Sequence, residues 1–479
     1  MIKYLLPRRI AVNLLTLLVM QAINFFVQFI YTIYLVRYLG TIGYGRFSFA
    51  LTFVQMFSSI MLLGLDTLIV KEVSGRREIA DKILANVLGI QTIASILFFG
   101  IIFTIINIMA YPMETKMTVY VFGISIIIYS IVQSFLFMFR AFEKMQYEAV
   151  GTTIAGLINI LLGFYIIFSK RGNIVDLAFA YCISNIFFLV YVIVICWKKF
   201  FFPKIIMDFV TWINLLRSSI PFGLGSIFYL MYSKVDTIML SKIHGDAQVG
   251  AYNAANKLVN IFLFFSVAFY GSIFPAISSL YKNSFDSLKL VTEKVCKYIS
   301  IIVFPIAIIV CFLAGKIINY LYGERFILSV NTLRILIWII VITYLGNNFA
   351  YLLISSKKSN MYALFSGVGL ILNITLNILI IPKYGLIGAA IVSVSTSLVV
   401  TWLIYEYVSQ NIFRISLIRA TKKTIFASLL LVLYLYFCRI SNTAILISSS
   451  VVFYFAVFFF VRGFSRNDFK LIKIIFTKS

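Results

Sequence analysis

Long apolar runs separated by short charged connections are the feature that most limits what this chain can fold into. Of its 479 residues, 62% are hydrophobic and 12% are charged, a composition that excludes an ordinary soluble protein. A helix that crosses a bilayer needs about 20 consecutive, mostly apolar residues, and the chain has room for about 14 such runs. The sequence therefore predicts an all-α polytopic membrane protein with about 14 transmembrane helices.

The spans are placed by the apolar runs, with charged or glycine-containing connections between them. They are predicted at residues 10–36, 47–70, 83–109, 118–139, 150–168, 177–196, 219–241, 251–275, 298–321, 331–354, 360–381, 386–408, 424–438 and 443–461.

Basic residues are distributed unevenly between the two sets of connections. Of the 41 Lys and Arg residues, 28 lie on the side that holds both termini, 9 lie on the opposite side and 4 lie within spans. By the positive-inside rule, both termini are expected in the cytoplasm. The net charge of +25 would suggest a nucleic-acid partner in a soluble protein. Here the basic loops are short and serve orientation, so we expect membrane lipid and no nucleic acid as partner.

The polar residues show no arrangement typical of an enzyme or a metal site. The five cysteines lie in spans or near their ends, without a CxxC motif, and the chain has a single histidine. No P-loop is present, and no cluster of carboxylates with histidine lies in the outer connections. We therefore expect no enzymatic activity, no catalytic residue, no bound cofactor and no metal site.

A pattern between spans 1 and 2 recurs between spans 7 and 8, at a constant offset of 205 residues. Leucine, a basic residue, two glycines and an aromatic residue repeat: Leu35, Arg37, Gly40, Gly45 and Phe47 match Leu240, Lys242, Gly245, Gly250 and Tyr252. The copies are six spans apart, so they have the same orientation, as in a parallel repeat. The glycines are expected to fix the turn between paired spans.

The repeat divides the chain into two six-helix lobes around a central cleft. We predict an N-lobe at 1–197 (spans 1–6), a C-lobe at 219–410 (spans 7–12), and two appended helices with a basic cytoplasmic tail at 411–479. The linker 198–218 mixes basic and apolar residues, which favours a segment lying on the cytoplasmic membrane surface. A plain solvated loop is the alternative.

Three charged residues lie inside apolar runs of the stretch 233–257: Lys234, Asp236 and Lys257. An ionisable residue within the membrane is costly, so each is a candidate for substrate or ion handling. The helical rise places Asp236 in span 7 and Lys257 in span 8 at similar depths near the outer side, and we predict that they pair. The positions 205 residues earlier carry no charge.

Four further residues complete the candidate set for substrate or ion handling. Lys316 and Arg334 lie near the outer ends of spans 9 and 10, where they are expected to form a cationic ring with the other two basic span residues. Arg37 and Asp66 are the candidates of the N-lobe. The alternative is that the basic side chains extend to the membrane surface and that Asp66 lies at the interface.

Four segments together resemble a known transporter family: Leu35 to Phe47, Lys234 to Leu240, Val249 to Leu258, and Tyr384 to Ala390. They are similar to the polysaccharide-export flippases, the O-antigen or Wzx-type members of the multidrug/oligosaccharidyl-lipid/polysaccharide exporter superfamily. The resemblance covers essentially the full chain. It implies transport of an oligosaccharide repeat unit on undecaprenyl diphosphate, as in lipopolysaccharide synthesis, from the cytoplasmic to the periplasmic leaflet of a bacterial inner membrane.

The resemblance also implies a mechanism and partners. We expect alternating access by rocking of the two lobes, with cations of the candidate set offsetting the pyrophosphate charge. Asp236 and Asp66 are titratable groups in apolar surroundings, so coupling to a proton or sodium gradient is a further expectation. The polymerase and chain-length proteins of the same pathway are the expected protein partners.

Two other functions are compatible with a polytopic chain. A multidrug or cation exporter of the same superfamily would be expected to have a more acidic cavity, whereas the spans here hold four basic residues against Asp236 and Asp66. A membrane enzyme of the same pathway, such as the polymerase or ligase, should carry a large outer loop. All predicted outer connections are short.

Overall fold

A computed structural model describes residues 8–62, 64–169, 172–201, 208–356, 358–438 and 442–463. Within its helices, the side chains at 8–22, 62, 66–68, 71, 218, 220–222, 226 and 275 lie outside the described set. All regular secondary structure in the described ranges is helical, which confirms the all-α prediction.

Fourteen α-helices follow one another in the described ranges. They are α1 (Arg8–Leu62), α2 (Leu65–Gly75), α3 (Ala80–Ile108), α4 (Met113–Ala141), α5 (Met145–Ser169), α6 (Ile174–Lys199), α7 (Phe209–His244), α8 (Asp246–Asn283), α9 (Phe285–Tyr322), α10 (Ser329–Leu336), α11 (Trp338–Ser355), α12 (Ser359–Asn411), α13 (Leu417–Phe437) and α14 (Thr443–Phe460).

The number of membrane-spanning segments agrees with the prediction of about 14. Eleven stretches of the described chain are long and apolar enough to cross a membrane, so the protein is a multi-pass membrane protein. Two of these stretches, α1 and α12, are each two helices joined at a glycine, Gly40 and Gly385 respectively. The 36 residues of α7, which are not among the eleven, correspond to predicted span 7. Counted this way, the described residues provide a segment for every predicted span.

The helix α7 begins ahead of its predicted start at residue 219, because Asp208 caps it. The Asp208 carboxylate accepts a 2.6 Å hydrogen bond from the Thr211 hydroxyl, which holds the pKa of this carboxyl below its usual range. In the same turn, Trp212 donates from Nε1 to Oδ1 of Asn86 at 2.8 Å. The end of the predicted linker 198–218 is thus helix continuous with span 7. Residues 202–207 of that linker lie outside the described residues.

Contacts between Cα atoms divide the chain into two compact units. The first comprises Met1–Ala254, Leu321–Leu328 and Lys358–Ser393, and the second comprises Ala255–Tyr320, Ser329–Lys357 and Val394–Ser479. These bounds differ from those of the predicted lobes 1–197 and 219–410, which were drawn from the repeat alone and stay a prediction.

Each unit has an apolar core of its own. In the first unit, buried side chains of α2, α3, α4 and α6 surround Phe135 and Phe139. In the second, the core joins α9, α13 and α14 through Leu313, Leu431 and Phe458. The second core joins the three helices that line the basic cavity described below.

Candidate functional site

A buried carboxylate lies at the centre of the polar cluster in the first unit. Asp236 of α7 is 3% exposed, and its carboxylate accepts hydrogen bonds from three neutral groups. They are the Tyr252 hydroxyl at 3.1 Å, the Asn377 amide at 2.5 Å and the Ser393 hydroxyl. A buried charge is costly unless hydrogen bonds satisfy it. The donors on α8 and α12 provide those bonds, so Asp236 links α7 to two other helices.

Two asparagines on α12 extend this cluster. Asn373 and Asn377 are 0% exposed, and the Asn377 amide also donates to Oδ1 of Asn373 at 2.8 Å. The Oδ1 atom of Asn377 is buried and has no hydrogen-bond partner among the described residues. The cluster therefore gathers carboxylate, amide and hydroxyl oxygens in one buried place. Such oxygens suit a proton or a hard cation.

The first glycines of the repeated pattern share one backbone conformation. Gly40 has φ 63° and ψ −173°, and Gly245 has φ 81° and ψ −179°. Residues with a Cβ rarely adopt a φ in this range. Gly40 bends α1 between spans 1 and 2, and Gly245 separates α7 from α8. The predicted role of these two glycines in the turns is confirmed.

The second glycines, Gly45 and Gly250, allow two backbones to approach closely. A Cβ atom on Gly45 would lie 1.8 Å from the Asp246 carbonyl oxygen, and one on Gly250 would lie 2.0 Å from the Thr41 carbonyl oxygen. Asp246 follows Thr41 by the same offset that separates the glycines. Each copy of the pattern thus packs its glycine against the turn of the other copy. A reciprocal contact of this kind is typical of two-fold-related surfaces and supports an internal duplication.

Polar side chains join the two copies at the same place. Nδ2 of Asn253 lies 3.2 Å from Oγ of Ser48, and these residues are themselves 205 positions apart. Arg46 forms ion pairs with Asp246 at 2.9 Å and with Glu114 at 3.2 Å. The predicted outer ends of spans 1, 2, 4, 7 and 8 are therefore linked within the first unit. We call the contacts of residues 41–48 with residues 246–253 the outer contact.

The single histidine of the chain contacts the kink in α12. Nε2 of His244 lies 2.8 Å from the Ile381 carbonyl oxygen, and Oε1 of Gln248 accepts the N–H of Leu386 at 3.0 Å. The helix bends here at Gly385, which has φ 54°. The two side chains therefore partner backbone groups at the kink.

The structure places Asp236 and Lys257 in different units. The Lys257 side chain is half-buried, and its predicted pairing with Asp236 stays a prediction. The Lys234 side chain is half-buried as well, on α7 of the first unit. Three neutral donors contact the Asp236 carboxylate, which satisfies part of its hydrogen-bonding capacity.

Three of the remaining candidates for substrate or ion handling are exposed, and the side chain of the fourth lies outside the described residues. Arg37 is exposed and donates from Nε to the Leu321 carbonyl at 2.7 Å. Lys316 and Arg334 are exposed in the second unit, and Arg334 contacts an asparagine one turn earlier. Asp66 falls on α2, but its side chain lies outside the described residues. The cationic ring and the roles of these four residues stay predictions.

Sequence reasoning missed part of the Asp236 cluster. From the sequence, Tyr252 is expected to be a structural residue of the repeated turn, and Asn377 is expected to link helices by hydrogen bonds, with a role as sugar ligand as the alternative. Ser393 gives no expectation. The link through Asn377 is confirmed by its bond to Asp236. The spacing of four between Asn373 and Asn377 is a usable signal, because it puts both amides on one face of a helix. A single serine in an apolar span carries no such signal.

Two family models match the sequence. One is described as a polysaccharide biosynthesis protein and matches residues 10–281, and the other is described as MatE and matches residues 221–379. Among curated relatives, an uncharacterized membrane protein of Methanocaldococcus jannaschii is 28% identical over 278 residues, 55% of this chain and 54% of that protein. A probable low-salt glycan biosynthesis flippase of Haloferax volcanii, Agl15, is 24% identical over 197 residues, 41% of each chain. The chain spans about half the length of the curated relatives it matches.

Among solved structures, the fold is similar to that of the lipid II flippase MurJ in an inward closed conformation. The TM-score is 0.76 at 15% identity, and the match covers 93% of this chain and 99% of that one. At this identity, the likeness shows the fold.

Proposed function

From the premise that this chain belongs to the polysaccharide biosynthesis protein family, within the multidrug/oligosaccharidyl-lipid/polysaccharide exporter superfamily, we propose that it is a lipid-linked oligosaccharide flippase. Its substrate is an O-antigen-like repeat unit on undecaprenyl diphosphate, moved from the cytoplasmic to the periplasmic leaflet. The protein works in the inner membrane with both termini in the cytoplasm. It moves its substrate and makes or breaks no bond in it.

The outer contact is the observation that carries this proposal. Alternating access needs two related halves whose contact on one side of the membrane forms and breaks. Here two copies of one pattern meet reciprocally through Gly45 and Gly250. The ion pairs of Arg46 beside them are only partly buried, and such pairs contribute about 0–1 kcal/mol each. Breaking them when the outer contact opens therefore costs little free energy. With termini in the cytoplasm, this contact closes the periplasmic side.

A flippase must keep the polar groups of its substrate out of the apolar interior of the bilayer. The hydrocarbon layer is about 30 Å thick, and each polar group left without a partner there costs several kcal/mol. In this proposal the sugar and pyrophosphate travel along a polar cleft while the prenyl chain remains in lipid. Cations at Arg37, Lys234, Lys257, Lys316 and Arg334 offset the pyrophosphate charge.

The Asp236 cluster is proposed to couple transport to a proton or sodium gradient. In support, the carboxylate is buried among neutral oxygen-bearing groups, and the Asn377 Oδ1 atom lacks a partner among the described residues. Reconstituted vesicles with an imposed proton or sodium gradient test this. We expect the gradient to accelerate flipping by the unchanged protein and to have no effect on Asp236→Asn. Equal rates with and without either gradient would end the coupling proposal and leave the flippase intact.

Deletion of the gene tests the transport function itself. We expect lipid-linked repeat units to accumulate on the cytoplasmic leaflet and surface polymer to disappear, with both restored by the unchanged gene. Normal surface polymer in a deletion strain that has no second flippase would contradict the proposal.

A multidrug exporter is the second candidate, because the MatE model matches residues 221–379. Efflux of cationic dyes from cells that express the protein separates the two functions. A flippase gives dye accumulation equal to that of empty cells, whereas an exporter lowers it.

A further inference from the structure

A basic cavity lies in the second unit, between the cytoplasmic ends predicted for α9, α13 and α14. Its volume is about 470 Å³. Among the described residues that line it, Glu293 is the one acidic side chain. The basic ones number six: Lys294, Lys297, Arg419, Lys422, Lys423 and Arg462.

The basic residues come from faces of two helices and the end of a third. Lys294 and Lys297 are three residues apart on α9, so they share a face. Arg419, Lys422 and Lys423 share a face of α13 and lie within the first two turns of that helix. The positive end of the helix dipole makes a cation in the first turn, such as Arg419, unfavourable. A cation at an unfavourable helix position is expected at functional sites, where a bound ligand can compensate for its free-energy cost.

Three of the lysines are not simply extended into water. Lys294, Lys297 and Lys423 are half-buried, and the ammonium group of Lys423 donates to the Arg462 carbonyl at 2.6 Å. Arg462 itself has φ 53°, which is uncommon for a residue with a side chain. Six basic side chains around one carboxylate give the cavity lining a net positive charge, which a bound anion would offset.

The neighbouring cavity is the natural comparison. It has a volume of about 550 Å³ and is lined by Lys289, Arg414 and Arg419, with Glu293 and Glu406 opposing them. The two cavities share the same predicted side of the membrane but differ in charge balance. The positive-inside rule accounts for basic residues on this side as a whole, and it does not account for their concentration around one cavity.

We propose that the basic cavity binds the phosphate headgroup of an anionic phospholipid. Basic pockets between transmembrane helices on the cytoplasmic side suit such headgroups. The helices that line the cavity also carry exposed apolar side chains for acyl chains, Phe426 and Leu429 on α13 and Phe459 and Phe460 on α14. The segment 464–479, which directly follows Gly463 of the cavity in sequence, has four basic residues and one acidic residue, so its own net charge is also positive. The site is independent of the proposed transport function.

Native mass spectrometry of the purified full-length protein tests the site, with phosphatidylglycerol and phosphatidylcholine titrated separately. We expect phosphatidylglycerol to bind at least about 10-fold more tightly. The double variant Lys294→Gln with Lys422→Gln should weaken phosphatidylglycerol binding about 10- to 30-fold. The matched control, Lys289→Gln with Arg414→Gln, removes the same charge from the neighbouring cavity and should change binding less than about 3-fold.

A second variant separates binding from folding. Arg462→Asn removes one charge at a left-handed position where asparagine is better tolerated, so the thermal unfolding temperature should not fall while phosphatidylglycerol binding weakens about 3- to 5-fold. Equal losses in the two double variants would overturn the proposal, because binding would then follow surface charge alone. Tighter binding of farnesyl diphosphate than of phosphatidylglycerol would also overturn it, since the cavity would then be a prenyl diphosphate site.

Discussion

The Asp236 carboxylate is held by donors that carry no charge. Tyr252, Asn377 and Ser393 reach it from two other helices, and removal of the acceptor would take a hydrogen bond from each of them, although Tyr252 and Ser393 also bond each other at 2.9 Å. A buried donor without an acceptor costs about 1–3 kcal/mol. The residue therefore links three helices in addition to its proposed part in coupling.

Replacement of this carboxylate should destabilise the protein. We expect Asp236→Ala to lower the free energy of unfolding by about 2–5 kcal/mol, and Asp236→Asn by less, because the asparagine still offers one acceptor oxygen. Thermal unfolding of the purified protein in detergent measures both. The control is Asp286→Ala at an exposed position in the first turn of α9, where we expect a change within about 1 kcal/mol. Equal losses at Asp236 and Asp286 would show that the buried bonds contribute nothing.

The sequence identified Asp236 as a buried charge but not its surroundings. Helical rise gives the depth of a residue along its span, and depth alone made Lys257 the expected partner. Which face of a neighbouring span turns toward the carboxylate depends on packing between helices distant in sequence. Asn377 and Ser393, both more than a hundred positions away, could not be assigned from periodicity.

At the scale of elements, the two glycines of each repeat copy have different structural roles. Gly40 and Gly245 are required by backbone conformation, whereas Gly45 and Gly250 are required by the approach of another backbone. The sequence predicted turns from all four and could not tell these two reasons apart. The reciprocal packing of one copy on the other became visible only in the structure.

Alanine variants separate the two reasons. Gly245 has open space around its missing side chain, so Gly245→Ala should cost about 1–3 kcal/mol from backbone strain alone. At Gly250 the backbone is helical and the new Cβ would collide with the Thr41 carbonyl, so Gly250→Ala should force the outer contact apart.

Gly45→Ala disturbs the same contact from the other copy, so the double variant with Gly250→Ala should be less damaging than the sum of the single ones. Gly100→Ala on α3 has open space and a helical backbone, and we expect no loss there. Unfolding temperatures and flipping rates of the four single variants and the double variant check these expectations. Additive losses at Gly45 and Gly250 would show that the two glycines do not share one contact.

At the scale of the whole molecule, hydropathy and charge were the sequence features that predicted most of the fold. Fourteen spans and an all-α fold follow from the length of the apolar runs, because a bilayer fixes the length of each helix. The lateral arrangement of helices leaves no comparable trace in sequence. The basic cavity of the second unit is an example, because its lining joins α9 to α13 and α14, and three other helices separate α9 from α13 along the chain.

The most direct test of alternating access is to lock the outer contact. Ser48 and Asn253 bond each other across the repeat, at 3.2 Å, so Ser48→Cys with Asn253→Cys should form a disulfide in a variant whose five native cysteines are alanine. Each single-cysteine variant serves as control. We expect the oxidised double variant to stop flipping lipid-linked oligosaccharide in vesicles and to recover on reduction. Flipping at the unmodified rate with the disulfide intact would contradict the account.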